Sequence, residues 1–277
     1  MCSARILNVG IKTSALSMKY SRGGSIAKVH KISFCTTCMN RLDDLMITLP
    51  ANIYANEDYP DLEFVLLDYN SSDGLGRWVR RRMMKHIEGG RLVYYRTEEP
   101  ESYGMTHSRN VAFKLATGDI VNSLDADNFT FDGKPVAMSW AHWINDRANE
   151  NPEKTVFCKT KQTTIMHGRI GFYKNEFMEL GGYNEDFRGY GHDDQDLVER
   201  AVALGFKLVK WGSGYFYRIQ TPSKRKDGNL IEHWDKTRRE NRTLSWKNLA
   251  ESVFVANQGR EWGKATVTKN FTEKVEI

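Results

Sequence analysis

From Lys31 onward, short apolar runs and amphipathic stretches alternate four times, and this rhythm limits the fold more than any other feature of the chain. Lys31–Cys35 (KISFC), Leu62–Leu67 (LEFVLL), Leu92–Tyr95 (LVYY) and Ile120–Leu124 have the length and composition of strands. Between the first two, Arg41–Asn56 carries Leu42, Leu45, Met46, Leu49 and Ile53 at helical spacing, with Pro50 expected to kink or split the helix. Leu75–Ile87 and Met105–Ala116 read as two further helices, stopped by Gly89-Gly90 and by Gly118. An unbroken apolar run such as LEFVLL suits a strand covered on both faces. Strand and helix in alternation predict an α/β fold with a largely parallel sheet. Ligands of such sheets gather at the carboxyl ends of the strands. Asp68 and the pair Asp125/Asp127 fall at such ends.

After Phe131 the rhythm changes. Val136–Asn149 reads as a helix containing Trp140 and Trp143, which are taken as core together with Trp211. Thr155–Lys159 and Thr163–His167 read as strands, Phe172–Leu180 includes a short helix, Asp193–Leu204 is a helix and Phe206–Trp211 a strand. From Thr221 the chain is basic, polar and less periodic. The expected organisation is an extension over 1–30, an α/β domain over 31–220, and a basic lid or extension over 221–277. No stretch approaches the roughly 18 apolar residues of a membrane span, and the first 28 residues lack the apolar segment of a secretory signal.

Asp125-Ala126-Asp127 closes the fourth strand. Residues i and i+2 of a strand share a side, so the two carboxylates project together and repel unless a cation or donor offsets them. A divalent ion that also takes phosphate oxygens would do so, since Mg²⁺ and Mn²⁺ prefer oxygen ligands; an ordinary turn explains the same three residues. The net charge of +5 is concentrated in Arg77–Lys85 and Lys224–Arg242. These stretches suit a solvated surface, an anionic ligand or a membrane face. No nucleic-acid motif is present, and no nucleic-acid partner is expected. Cys35-Thr-Thr-Cys38 has no second pair with which to hold zinc. With Cys2 and Cys158 it reads as buried thiols of a reduced, intracellular protein.

Three segments, in this order, resemble one family. They are Asp68-x-Asn-Ser-Ser-Asp-Gly74; Ser108-Arg109-Asn110 followed by Ala116-Thr117-Gly118-Asp119 and Leu124-Asp125-Ala126-Asp127; and Gly181-Gly182-Tyr183 followed by Gly189-Tyr190-Gly191-His192-Asp193-Asp194-Gln195-Asp196-Leu197. Together they resemble the inverting glycosyltransferases of the GT-A fold, family 2, over about residues 31–220. The last block also resembles the catalytic segment of the β-1,4-galactosyltransferases and polypeptide N-acetylgalactosaminyltransferases. The resemblance implies a Rossmann-like, mostly parallel sheet, a UDP-sugar donor, and Mn²⁺ or Mg²⁺ as cofactor. It places the Thr36 backbone and Asp68 at the uracil or ribose, Arg109 facing the nucleotide, Asp125 at the ribose or near the metal, and Asp127 on the metal. Gly168 falls close to the donor sugar, and Tyr190 against donor or acceptor. Relatives often complete the metal shell with a histidine after the strand that follows the catalytic helix. Here that place falls to Gln220, to His233 reaching back, or to water.

Inverting transfer needs a base to take the acceptor's proton and a cation to stabilise the departing diphosphate. The resemblance assigns the base to Asp194, in the pair Asp193-Asp194. Acidic residues also favour helix N-termini for purely structural reasons. The acceptor implied is a glycan or lipid-linked glycan. The expected location is the cytoplasm, with the basic C-terminal segment a candidate contact for the inner face of the membrane. Two other readings compete. A sugar-phosphate nucleotidyltransferase would carry a glycine-rich loop after the first strand, which Ser33–Arg41 lacks. A non-catalytic nucleotide-sugar-binding relative would have lost the base or the metal carboxylate, yet Asp194 and Asp127 are present.

Overall fold

The computed structural model describes residues 27–131, 138–161, 164–211, 217–219 and 229–277, with backbone alone for 159–161, 164–168 and Trp211. The strands are β1 (Ile32–Cys38), β2 (Leu62–Tyr69), β3 (Leu92–Thr97), β4 (Ile120–Ser123), β5 (Thr155–Lys161), β6 (Thr164–Tyr173), β7 (Lys207–Trp211), β8 (Thr266–Lys269) and β9 (Glu273–Glu276). The helices are α1 (Leu42–Ala55), α2 (Leu75–Arg82), α3 (Met84–Glu88), α4 (Met105–Leu115), α5 (Trp140–Glu150), α6 (Lys174–Glu179), α7 (Asp193–Ala203) and α8 (Trp234–Ala250). One nine-stranded sheet runs β7-β5-β6-β4-β1-β2-β3-β8-β9. β1 pairs in parallel with both β2 and β4, and β2 in parallel with β3. β6 runs antiparallel to β4 and β5. The chain winds from β1 towards β3 and then returns to the other side of β1 with β4. The carboxyl ends of β1 and β4 are therefore the switch point where ligands of open α/β sheets bind.

The LEFVLL run is buried because it faces two cores. Phe64 and Leu66 point to the side that α1, α2 and α5 cover, with Leu45, Val79 and Trp140. Val65 and Leu67 point to the side covered by α4, α6 and α7, with Val111, Phe177 and Leu197. Trp140 stacks on Phe34 with ring centroids 5.0 Å apart, and Trp143 packs at the edge of the same core. Trp211, also expected in the core, has no described side chain. Cys35, Cys38 and Cys158 are buried free thiols, and burial raises the affinity of each for its proton.

Three expectations are corrected. Pro50 does not split α1, which runs unbroken through it. It deletes only the amide that would bond the Met46 carbonyl, and Met46 is 44% exposed, so solvent can serve that carbonyl. The helix expected over Leu75–Ile87 breaks at Met83, whose φ of −115° and ψ of 0° leave the helical region. Finally, the segment expected as a basic lid or extension contributes two strands to the central sheet. β8 pairs with β3 and β9 with β8, so these strands belong to the central sheet. Phe271 stacks on Tyr94 at 4.7 Å and lies under the Arg80 guanidinium. The helix α8 has a buried stripe of Thr237, Asn241 and Ser245 at every fourth residue. A search for apolar periodicity passes over that stripe because its residues are polar.

Candidate active site

The loop that leaves β4 is held from behind by α1. Four residues one turn apart, Asp44, Thr48, Asn52 and Asn56, form a buried polar ladder on this helix. Thr48 donates to the Ala126 carbonyl at 2.6 Å, and Asn52 donates to the Asn128 carbonyl at 2.8 Å while accepting from the Thr130 amide at 2.7 Å. Asn56 donates to the Thr130 hydroxyl at 2.8 Å. Asp44 accepts from Arg41 Nε at 2.6 Å, and Arg41 Nη2 reaches Asp127 Oδ2 at 3.2 Å. On the far side, the Ile219 amide donates to the Asp127 carbonyl at 2.8 Å, and the Phe129 amide to Tyr217. Buried Arg169 donates to Asn128 Oδ1 at 2.9 Å, and burial lowers its pKa to about 10. Asp125 and Asp127 therefore project from a loop whose main chain is fixed on both sides, and they are 41% and 20% exposed.

The second half of the site is gathered by α4. Arg109 is buried, and its guanidinium contacts three carboxylates from two distant stretches of chain. Nη2 bonds Asp125 Oδ1 at 3.0 Å, while Nη1 bonds Asp194 Oδ1 at 2.9 Å and also Asp193 Oδ2. The next residue, Asn110, accepts from the Tyr183 amide at 2.8 Å and donates to its carbonyl at 2.9 Å. Tyr183 returns to the cluster through its hydroxyl, which donates to Asp194 at 3.3 Å. The Ser-Arg-Asn block is thus a clamp that holds the Gly181-Gly182-Tyr183 turn and the start of α7 against the β4 loop. Burial pushes the Asp193 carboxyl up to about 7, against the pull of Arg109 and with Asp194 adding to the rise. The two adjacent acids share one guanidinium nitrogen. Asp196, in the same first turn, points elsewhere. It forms a fully buried pair with Arg200 at 2.8 Å, and Arg200 also donates to the carbonyls of Leu180 and Gly182.

The turn before α7 fits against α8. Gly189 and Gly191 have φ of +55° and +94°, and a Cβ at either would press on Thr237 or Arg238. Only glycine meets both conditions without strain. Thr237 holds the Tyr190 amide and carbonyl through its hydroxyl, both at 3.1 Å, and Asn241 bonds the main chain of Arg188 and Gly191. Burial, and then the charges of Asp125 and Asp193, push the pKa of the Tyr190 hydroxyl up to about 12.

The remaining predicted residues fall as follows. Asp68, at the carboxyl end of β2, is fully buried and accepts from Tyr94 at 2.6 Å, Arg96 at 2.8 Å and the Ser71 amide at 2.8 Å. Thr36 donates its hydroxyl to the Leu124 carbonyl at 2.7 Å, tying β1 to the β4 end. Gly168 lies in β6 at an irregularity, where Cys158 pairs with Ile170 but Lys159 with Met166. Gln220 lies outside the described residues, although its neighbour Ile219 is bonded to Asp127. His233 caps α8, accepting from the Asp235 amide at 3.3 Å, and stacks on Trp234. Among the described residues no three His, Cys, Asp or Glu side chains are grouped to hold a metal. An ion at Asp127, with Asp125 nearby, would meet hard oxygen donors and draw its other ligands from outside that set. Sequence reading gave no role to Arg41, Asn110, Tyr183 or Arg169. Asn110 was visible as part of the Ser-Arg-Asn block, but nothing in its spacing says that it pins a turn 73 residues away.

Comparison with known proteins agrees with this topology. Residues 33–138 match the glycosyl transferase family 2 model, and residues 152–224 match a model described as the N-terminal domain of galactosyltransferase. No curated protein matches the chain. Among solved structures, it is similar to a mannosyltransferase from Pyrobaculum calidifontis in complex with GDP-Man and Mn²⁺, at 21% identity and TM-score 0.58, covering 82% of this chain and 72% of that one. It is also similar to S. aureus TarS 1–349 in complex with UDP, at 14% identity and TM-score 0.54, covering 80% and 72%. A third is GalNAc-T7 with UDP, GalNAc and Mn²⁺, at 16% identity and TM-score 0.52, covering 69% and 44%. These likenesses establish the fold. With one family model on the half that carries Asp125 and Asp127 and the other on the half that carries Asp193 and Asp194, the chain is a glycosyltransferase of the GT-A fold.

Proposed function

We propose that the protein is an inverting, metal-dependent enzyme that moves a hexose or N-acetylhexosamine from a UDP-sugar to a hydroxyl of a glycan or lipid-linked glycan. One observation carries this reading: a single buried guanidinium, Arg109, joins Asp125 at the β4 end to Asp193 and Asp194 at the start of α7. Carboxylates suited to a nucleotide–metal complex and carboxylates suited to proton transfer thus meet at one guanidinium. In the reaction the acceptor oxygen attacks the anomeric carbon. The bond from that carbon to the diphosphate breaks, the electron pair leaves with the diphosphate, and the proton passes to Asp194. Mn²⁺ or Mg²⁺, when bound, supplies Lewis-acid stabilisation of the leaving diphosphate. Asp127 would hold the ion, with Asp125 beside it or at the ribose. Gln220 is a candidate third ligand, since the residue before it is bonded to the Asp127 carbonyl; His233 is engaged as a cap. Thr36 and Asp68 border the nucleoside side, Gly168 the donor sugar, and Tyr190 the sugar rings. The Mn²⁺, UDP and GDP-Man of the similar structures support a nucleotide-diphosphate donor.

No helix among the described residues is long and apolar enough to cross a membrane. A peripheral contact at the cytoplasmic face belongs to the same proposal, although ion pairs Lys236–Glu232 and Arg239–Asp235 neutralise part of the α8 surface.

The deciding experiment is a donor screen that detects nucleotide release from UDP-glucose, UDP-galactose, their N-acetylated forms and GDP-mannose, with Mn²⁺, Mg²⁺ or EDTA. Turnover with a UDP-sugar that EDTA abolishes is the expected result; turnover indifferent to EDTA would remove the metal from the mechanism. Asp127→Ala is expected to weaken Mn²⁺-dependent UDP binding by at least about a hundredfold in calorimetry, a loss of roughly 2.7 kcal/mol. Metal-free binding should change far less. Asp193 also sets a pH dependence. Its carboxyl is pushed up to about 7, and its ionisation adds a negative charge beside the base, which favours proton uptake there, so kcat/KM should rise as pH passes through about 7. A profile flat across that interval would exclude an influence of the Asp193 charge on transfer.

A further inference from the structure

Helix α1 inverts the usual arrangement of a helix that faces water on its outer side. Its polar ladder, Asp44, Thr48, Asn52 and Asn56, is buried, while Met46, Ile47 and Tyr54 are 44%, 58% and 68% exposed. Pro50 lies between them, half-buried. Surface helices normally turn charged and polar residues outward. On the outer face of α1 the only charged residue is Asp43, in the first turn. A contiguous apolar surface of this kind marks a place where something else docks.

The neighbouring helices supply charge of one sign. Between Asp73 and Arg91 the sequence holds a single acid, Glu88, against Arg77, Arg80, Arg81, Arg82 and Lys85. Leu75 and Val79 turn α2 towards the core, which leaves these five cations exposed. Arg80 lies over the Phe271 ring, and no ion pair among the described residues involves any of the five. The basic residues of α8 differ, since Lys236 and Arg239 are paired with Glu232 and Asp235. The apolar and the basic surfaces adjoin. α1 and α2 cover the same side of the sheet, and they start together, with the Leu42 amide donating to Asp73 Oδ2 at 2.8 Å. Arg41, the residue before α1, is the group that reaches Asp127, so the surface begins next to the acids of the site.

A soluble polyanion would satisfy the cations and leave the apolar stripe in water. A bilayer rich in anionic lipid satisfies both, because its headgroups carry phosphate above an apolar layer. We propose that the outer face of α1, α2 and α3 docks on an anionic lipid bilayer, with Ile47 and Tyr54 entering the headgroup layer and Arg77, Arg81, Arg82 and Lys85 meeting lipid phosphates. The docking follows from the fold and this surface alone. Its use, to bring a lipid-linked acceptor to the site, rests on the glycosyltransferase reading above.

The test is flotation of the full chain with vesicles of phosphatidylcholine alone and of an equimolar mixture with phosphatidylglycerol. The wild type is expected to float with the mixed vesicles only, and to be released as salt rises from about 0.05 to about 0.5 M. Arg77→Gln with Arg81→Gln should weaken partitioning about thirtyfold, each charge near an anionic surface contributing about a fivefold factor. Ile47→Ser with Tyr54→Ser should weaken it about tenfold through lost apolar burial. Arg239→Gln with Arg242→Gln, on α8, removes the same charge and should float like wild type. All these positions are exposed, and thermal melts establish that each variant is folded. Equal flotation with both kinds of vesicle overturns the docking, as does a loss in the α8 pair equal to that in the α2 pair. A loss in the α2 pair with the Ile47 and Tyr54 pair unchanged, together with tight binding to heparin, assigns the surface to a soluble polyanion and also overturns it. Flotation needs no turnover. A donor screen without nucleotide release therefore sinks the transferase reading and leaves the docking standing, whereas normal transfer without flotation sinks the docking alone.

Discussion

Asp194→Asn is expected to lower the transfer rate by about a thousandfold, within the range that a positioned general base contributes, while donor and metal binding stay near wild type. The amide is nearly isosteric, and its oxygen can still accept from Arg109 Nη1 and from the Tyr183 hydroxyl, the two donors that now reach Asp194 Oδ1. Geometry is therefore kept and basicity removed. The substitution also takes one negative charge from a buried cluster in which Asp125, Asp193 and Asp194 surround a single guanidinium, so thermal stability should not suffer. Single-turnover kinetics beside calorimetric UDP–Mn²⁺ titration separates the two effects. Turnover within tenfold of wild type would move the base to another residue, and Asp193→Asn would be the next variant to measure.

The second large effect is on the fold. Arg109→Met should destabilise the protein by about 3–5 kcal/mol, because it leaves buried carboxylates without their cation. For a domain of this size that is a fall of roughly 10 °C in the melting midpoint. The methionine keeps much of the side-chain volume, so a cavity is not the main cause. pH provides the check. Asp193 is already pushed up to about 7 with Arg109 in place, so the folded state holds its proton more tightly than the unfolded state does. Stability from this group is present at low pH and lost as pH rises through the folded value. Without the guanidinium the imbalance grows, so Arg109→Met should be closer to wild type at about pH 5 than at about pH 8. A deficit equal at both would mean that Arg109 acts through packing rather than charge.

The order of strands and helices up to β4 was legible because it is written in apolar periodicity. LEFVLL reads as a two-sided strand since every residue of it is buried, and the end of β4 reads as a site since charge follows an apolar run. Other contacts were hidden for a common reason: their periodicity is polar. Asp44, Thr48, Asn52 and Asn56 repeat every four residues along α1, yet a search for apolar faces assigns them to solvent. Thr237, Asn241 and Ser245 do the same on α8, which left the chain after Thr221 reading as a basic lid or extension. The roles of Arg109 and Asn110 were out of reach for another reason. Each acts on a stretch more than 70 residues away, and only the folded path of the chain brings those stretches together.

The ladder on α1 has a consequence for how such a catalyst can diversify. Its rungs grip carbonyls of Ala126 and Asn128 and the amide of Thr130, groups that every amino acid except proline possesses. The course of that loop is therefore prescribed by the helix and only loosely by the loop's own side chains. Because Ala126 and Phe129 are themselves buried, what the loop shows outward is chiefly the two acids it carries. Evolution, or a designer, would have to vary the sugar-facing surface on other segments, around a frame that stays where it is.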